Sequence, residues 1–405
     1  MKLVKLSLFA IISVATISSV SNAKTLEETI KDIDISGYSR YRYDIYDSEY
    51  DILDINRHRF TSEINVQSAL DDNFFGVIGF RYDSGDNSGQ NYNAATQVGT
   101  KDTGFSYDNY GQTFNVRQFY LGYKAGNTTI TAGRQVLGTF FTDDMVGTGI
   151  KVLNNDINGL TLTGMAFDNL QNDSDILTNY FLIGKKNYKQ PEYVTDRNLY
   201  SVAAIGSYDL VSFQLWYAAI DSVAQLYATD LLIGTNIADI DLSLQAQYAT
   251  SSMWAENFGL KGVPLDDAKF AAIEAGAKAF GFDANAGYVW FDTDKVSLIS
   301  FEDQGSFIDA GEDILEYSFI TGEGKHWFLK AGYTFANKVR VGADYVSGEV
   351  THKLNNSTTN KYETVARVDY KYSKKLNFKA WYSYINRDSD PGDYKHLRFE
   401  ARYNF

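Results

Sequence analysis

From Ile35 onward, apolar and polar residues alternate along the chain with a period of two, the pattern of strands that set one face against an apolar medium and the other against water. At the C-terminus, Lys395, Leu397, Phe399, Ala401, Tyr403 and Phe405 share one face, while His396, Arg398, Glu400, Arg402 and Asn404 share the other. Residues 37–46 set Tyr41 and Tyr43 against Arg40 and Arg42. Residues 362–372 set Thr364, Ala366, Val368 and Tyr370 against Val365, Arg367, Asp369 and Lys371. The apolar face is rich in Tyr and Phe at strand ends and small or aliphatic between them. A soluble sandwich would bury an aliphatic face against a second sheet, whereas an apolar band between aromatic girdles suits lipid.

Short polar turns at 70–73, 125–127, 154–159, 208–210, 235–238, 280–281, 336–338 and 372–375 alternate with longer connections such as 84–111, 168–198, 252–267 and 292–326. That alternation predicts an all-β, antiparallel transmembrane barrel of about 18 strands over residues 35–405, with short periplasmic turns and longer outer loops. Two segments fit this count poorly. Residues 226–233 make a weak strand pattern and 292–326 could hide a hairpin, so about 16 to 20 strands are compatible with the periodicity. The three prolines, Pro191, Pro264 and Pro391, all fall in expected loops, as a closed ladder without a free edge requires.

Composition narrows the picture. Mean hydropathy is −0.29, and beyond residue 23 no apolar run reaches the roughly 18 residues of a membrane-crossing helix. Aromatic residues make up 15% of the chain, enough to make a disordered chain implausible. The absence of Cys excludes disulfides, thiol nucleophiles and thiolate metal sites. A formal charge of −14 argues against nucleic acid or anionic headgroups as the main partner. Residues 1–23 carry Lys2 and Lys5, an apolar core from Leu6 to Val20 and a small-residue Ser21-Asn22-Ala23 site, which predicts a cleaved secretory signal. Residues 24–34 are expected to form a short periplasmic N-terminal segment.

Several ordered motifs carry a family likeness: the opening residues 1–8, the stretch Leu26 to Gly37, Val146-Gly147-Thr148-Gly149-Ile150-Lys151-Val152, Gly206-Ser207-Tyr208-Asp209-Leu210, Glu302-Asp303-Gln304-Gly305 and residues 365–373. Together they resemble the Campylobacter-type major outer membrane porins. The resemblance implies an eighteen-stranded, homotrimeric, cation-preferring general porin in the outer membrane of a Gram-negative bacterium, passing small hydrophilic solutes and ions. It also implies a calcium ion held in the lumen. Carried over residue by residue, that site would draw on Asp143 or Asp144, Asp175 and Glu302.

A barrel of this size needs an inward-folded element to limit its lumen. The connection at about 135–146 is the expected constriction loop, with Gly138 for flexibility, Phe140 and Phe141 as anchors and the carboxylates Asp143 and Asp144. Opposite them, Arg40, Arg42, Arg57, Arg59, Arg340, Arg367, Arg398 and Arg402 lie on the polar phase of strands near the closing seam. Half of these are expected to pair with acids such as Asp44, Glu63, Asp369 and Glu400. The alternative is an adhesin or structural barrel with a closed lumen. Catalytic motifs are missing from the sequence, and His396 with Asp393 or Glu400 is the pair an enzymatic reading would use.

Overall fold

The computed structural model describes residues 33–48, 55–88, 114–171, 197–258, 263–388 and 392–405. The expected signal at 1–23, nearly all of the segment 24–34, Asp175, Pro191 and Pro391 lie outside the described residues. The barrel begins with β1 (Asp34–Ser48), β2 (Ile55–Ala69), β3 (Phe74–Ser88), β4 (Asn115–Ala125), β5 (Thr128–Val136) and β6 (Val146–Asn154). It continues with β7 (Leu160–Gln171), β8 (Leu199–Tyr208), β9 (Val211–Ile220), β10 (Ala224–Ile237) and β11 (Ile240–Met253). A small hairpin, β12 (Asn257–Phe258) and β13 (Val263–Pro264), sits in the next connection and holds Pro264. The chain then adds β14 (Ala268–Ala279), β15 (Phe282–Ser297), β16 (Ile320–Phe335) and β17 (Val339–His352). Last come β18 (Ser357–Lys371), β19 (Leu376–Arg387) and β20 (Tyr394–Asn404).

Apart from that hairpin, the strands form one 18-stranded antiparallel sheet in which each pairs with the next. The sheet closes where β1 meets β20, in a register running from Tyr38↔Asn404 to Ser48↔Tyr394, and Gly37 and Phe405 exchange two backbone hydrogen bonds at 3.1 and 3.2 Å. Closure leaves no unpaired edge in a medium that could not satisfy one. All eight expected short turns link consecutive strands at one end of the barrel. At Phe280-Gly281, Ala336-Asn337 and Ala238-Asp239 both central residues have positive φ, the hairpin geometry whose twist matches the flanking strands. The turn expected at 235–238 lies at Ala238-Asp239, because β10 runs on to Ile237. At the other end not every connection is long: Asp221 to Val223 and Lys353 to Asn356 are tight.

Outward positions are apolar: Leu121, Ile150, Val202, Leu215, Leu244, Ile273, Leu329 and Val368 are exposed on the barrel's outer face. Exposed aromatics gather toward the ends, with Phe74, Tyr208, Phe280, Phe282, Phe335 and Tyr372 near the short turns and Tyr200, Tyr227, Tyr248 and Trp254 toward the opposite rim. The segment 226–233, expected to be a poor strand, lies wholly within β10. Its alternation is blurred because Leu226 and Ala228 face inward yet are buried among apolar side chains, while Tyr227, Leu231 and Ile233 face lipid. No hairpin hides in 292–326. β15 extends to Ser297, β16 starts at Ile320, and the residues between fold into the lumen.

Candidate functional site

The lumen is narrowed by two loops that bind each other. The shorter, Leu137 to Met145 between β5 and β6, buries Leu137, Phe140, Phe141 and Met145 almost completely. The longer, Leu298 to Phe319 between β15 and β16, buries Ile299, Phe301, Phe307, Ile314 and Tyr317. Backbone hydrogen bonds join them: Phe301 N–H donates to Phe141 C=O at 2.8 Å and Ser306 N–H to Phe140 C=O at 2.8 Å. Phe307 stacks edge-on to Phe140 and Phe270, each at 4.8 Å between ring centroids. Gly305 makes this approach feasible: its φ is +56°, and a Cβ there would stand 2.5 Å from the Phe140 carbonyl oxygen. Glu302 ties the loops electrostatically, accepting from the N–H groups of Asp143 at 3.0 Å and Met145 at 2.6 Å. Burial, together with the nearby Asp144 and Asp143 charges, holds its carboxyl well above the usual range.

The longer loop is also clamped to the wall. Glu363 of β18 accepts from the backbone N–H groups of Glu312 at 2.9 Å and Ile314 at 3.1 Å, and from the Ser383 hydroxyl at 2.5 Å. Gly311, at φ +81°, leaves room for that carboxylate. Gln247 of β11 both donates to Ser306 C=O and accepts from Ile308 N–H. Lys330 reaches the Asp309 carbonyl at 2.7 Å, and Arg367 pairs with Glu312 at 2.9 Å. His396 bridges loop to wall, with Nδ1 2.8 Å from Asp313 and Nε2 3.1 Å from Asp44.

Between this plug and the seam remains a polar cavity of about 730 Å³. Its lining includes Asp143, Asp144, Asp303, Glu312, Asp313 and Glu316 from the loops, and Arg40, Arg42, Arg117, Arg398 and Arg402 from the wall. A second lumen cavity of about 470 Å³ lies toward the short turns, lined by Asp283, Arg340, Asp369, Lys379 and Glu400 among others. Of the arginines singled out from sequence, Arg40, Arg42, Arg398 and Arg402 line the larger cavity and Arg340 the smaller. Arg59 instead forks onto Asp83 at 2.6 and 3.0 Å, Arg367 is held by Asp344 and Glu312, and Arg57 lines neither cavity. Arg42 pairs with Glu400 at 2.6 Å and Arg398 with Asp44 at 2.5 Å.

Two arginines of the lumen were not among those singled out from the sequence. Arg117 binds Asp144 at 3.0 Å and Glu63 at 3.3 Å, and Arg81 lies 3.8 Å from Asp144. Arg117 shares its parity with the outward Phe119, Leu121 and Tyr123, so alternation alone aims it at lipid. A bulge opposite Gly79 and Phe80, where Arg117 is the extra residue, turns it into the lumen.

The expected calcium ligands fall differently. Asp143, Asp144 and Glu302 are neighbours, but Asp144 is engaged by Arg117, Glu302 by two backbone N–H groups, and Asp175 is outside the described residues. Among the described residues, no group of three or more His, Asp or Glu side chains converges to hold a metal ion, so the described residues do not by themselves complete a calcium site. The enzymatic pairing is also redirected. His396 contacts neither Asp393, which accepts from Tyr384 and Asn386, nor Glu400, which is taken by Arg42.

The whole chain, residues 1–405, matches the family model described as Campylobacter major outer membrane protein. A search of curated protein sequences gave no match. Among solved structures, the chain superposes on Acinetobacter baumannii OccAB3 with a TM-score of 0.72 at 14% identity, covering 93% of this chain and 99% of that one. Pseudomonas aeruginosa OpdK, solved with vanillate, gives 0.68 at 14% identity and the same coverages. A BenF-like porin from Pseudomonas fluorescens Pf-5 gives 0.70 at 15% identity, again covering 93% and 99%. At these identities the likeness is one of fold.

Proposed function

The chain belongs to the Campylobacter major outer membrane protein family, and from that premise we propose that this outer-membrane porin is a cation-preferring, general-diffusion channel for small hydrophilic solutes. The family and the fold mark a channel rather than an enzyme. The observation that carries the cation preference is the charge inventory of the larger cavity, where seven carboxylates face five guanidiniums. With apolar loops packed beside it and lipid behind the wall, that excess is poorly screened, so cations are enriched and anions depleted. Acids on the loops and bases on the wall also set up a transverse field, which orders water and favours polar solutes over apolar ones. Assembly as a homotrimer is proposed from family membership alone, and chemical cross-linking in detergent tests it.

Planar-bilayer recording of folded protein should show stepwise ohmic currents with a reversal potential displaced toward the cation in a salt gradient. Both substitutions remove one negative charge, but Asp144→Asn should reduce that displacement more than Asp143→Asn, because it also leaves the Arg117 charge offset by Glu63 alone. Reversal potentials that both substitutions leave unchanged would sink the cation preference while leaving the channel itself intact.

A further inference from the structure

The five guanidiniums of the larger cavity are not equivalent. Arg42, Arg117 and Arg398 each have a carboxylate partner. Arg40 and Arg402 have none among the described residues. Arg40 is only 7% exposed, yet its Nε and Nη2 meet no acceptor among the described residues; Arg402 donates Nε to Asn404 at 3.0 Å and leaves its terminal nitrogens to the lumen. The two stand directly opposite each other across the β1–β20 seam, a pairing of like charges that weakens a ladder. Glu400, two residues before Arg402, is taken by Arg42. What holds the pair together is Tyr38, whose ring centroid lies 5.7 Å from the Arg40 guanidinium carbon and 4.0 Å from that of Arg402. Arg402 also lines both of these cavities, so a solute passing from one to the other goes by it.

A buried guanidinium with orphaned donors beside a second one costs stability unless an oxyanion completes it. The planar fork of arginine matches a carboxylate best. The rest of the cavity is acidic and repels a net anion. We propose that Arg40 and Arg402, set on Tyr38, form a carboxylate-binding subsite that selects small zwitterions. The carboxylate docks on the arginine pair while an ammonium group faces the loop acids Asp143, Asp303 and Glu316. The inference rests on the channel reading, because the subsite lies on the path a permeating solute takes.

The test is current interruption in planar bilayers bathed in KCl. Phenylalanine, a zwitterion near neutral pH, should produce transient blockades, whereas phenylalaninamide, which has the ammonium but no carboxylate, should need about tenfold more for equal occupancy. Arg40→Gln and Arg402→Gln should each raise the phenylalanine concentration for half-block by about tenfold. Arg402→Lys, which keeps the charge and loses the fork, should fall between. Heat-modifiable migration in gels confirms that each variant has folded, and Arg40→Gln also removes the like-charge opposition, so its barrel should fold at least as well. Equal blockade by the amide, or unaltered phenylalanine block in both glutamine variants, would overturn the subsite. Blockade by inorganic phosphate as strong as that by phenylalanine would overturn the selection of zwitterions. Because KCl conductance is read in the same traces, a closed barrel is distinguished from an open one that lacks the subsite.

Discussion

The two sides of this lumen solve opposite problems with the same sheet. Inward positions on β7 through β16, among them Phe167, Trp216, Leu226, Phe270, Phe291 and Phe328, are apolar and buried beneath the two loops. Inward positions on β1 through β4 and on β20 carry Arg40, Arg59, Arg81, Arg117 and Arg398, with acids between them and a cavity in front. No residue of β1 to β5 belongs to the lumen's hydrophobic cluster among the described residues. The filled side behaves as the core of a soluble protein, stabilised by burial that needs no partner in a particular direction. The charged side depends on directional ion pairs, and its open water is what the apolar side's packing leaves over.

The largest test of this contrast removes a packing anchor. Phe307→Ala deletes a ring that touches Phe140, Phe141, Phe270 and Tyr317, and should weaken loop docking by about 3–5 kcal/mol. Single-channel conductance should rise and denaturant midpoints fall. A variant whose conductance stays at the wild-type level would show that the loops are held by the charged side instead.

A smaller effect is expected from pH. Burial pushes the Asp309 carboxyl, in the longer loop, up to about 8, so the docked loop holds a proton that the undocked loop would release. Docking is therefore favoured fully below about pH 4 and loses this contribution as pH rises through about 8. Hydrogen exchange of the loop amides should quicken between about pH 5 and 8 beyond the intrinsic base-catalysed increase and return to the intrinsic slope above that, and Asp309→Asn should abolish the extra increment. The smallest effect concerns calcium. With Asp144 and Glu302 already engaged, millimolar calcium followed by chelator should move conductance and thermal stability little. A large, reversible stabilisation would show that the segment bearing Asp175 completes a site.

The comparison also separates what could be read in the chain from what could not. The strand number, the eight short turns and the lipid-facing residues were legible because a two-sided sheet writes its environments directly into alternation. The shorter inward loop was legible through its paired phenylalanines and aspartates. The longer loop was not. Its residues 298–319 read as an outer connection because nothing local distinguishes apolar residues that fold into a lumen from those at a rim. Glu302, anticipated as a metal ligand, spans the two loops with hydrogen bonds from Asp143 and Met145, a role no local pattern announced. Arg117 was hidden by a bulge that reverses its parity, a change visible only once β4 is paired with β3.

The sequence by itself determined a closed antiparallel barrel in lipid, because the period of side-chain facing and the need to satisfy every backbone group in a bilayer admit few other answers. Only the tertiary structure decided which carboxylate meets which guanidinium, that the long loop fills one side of the lumen, and that Arg40 and Arg402 have no acidic partner among the described residues. Ion pairs and loop docking join residues hundreds of positions apart, as His396 joins Asp44 and Arg42 joins Glu400, and such contacts are fixed by the closure of the sheet rather than by any local pattern.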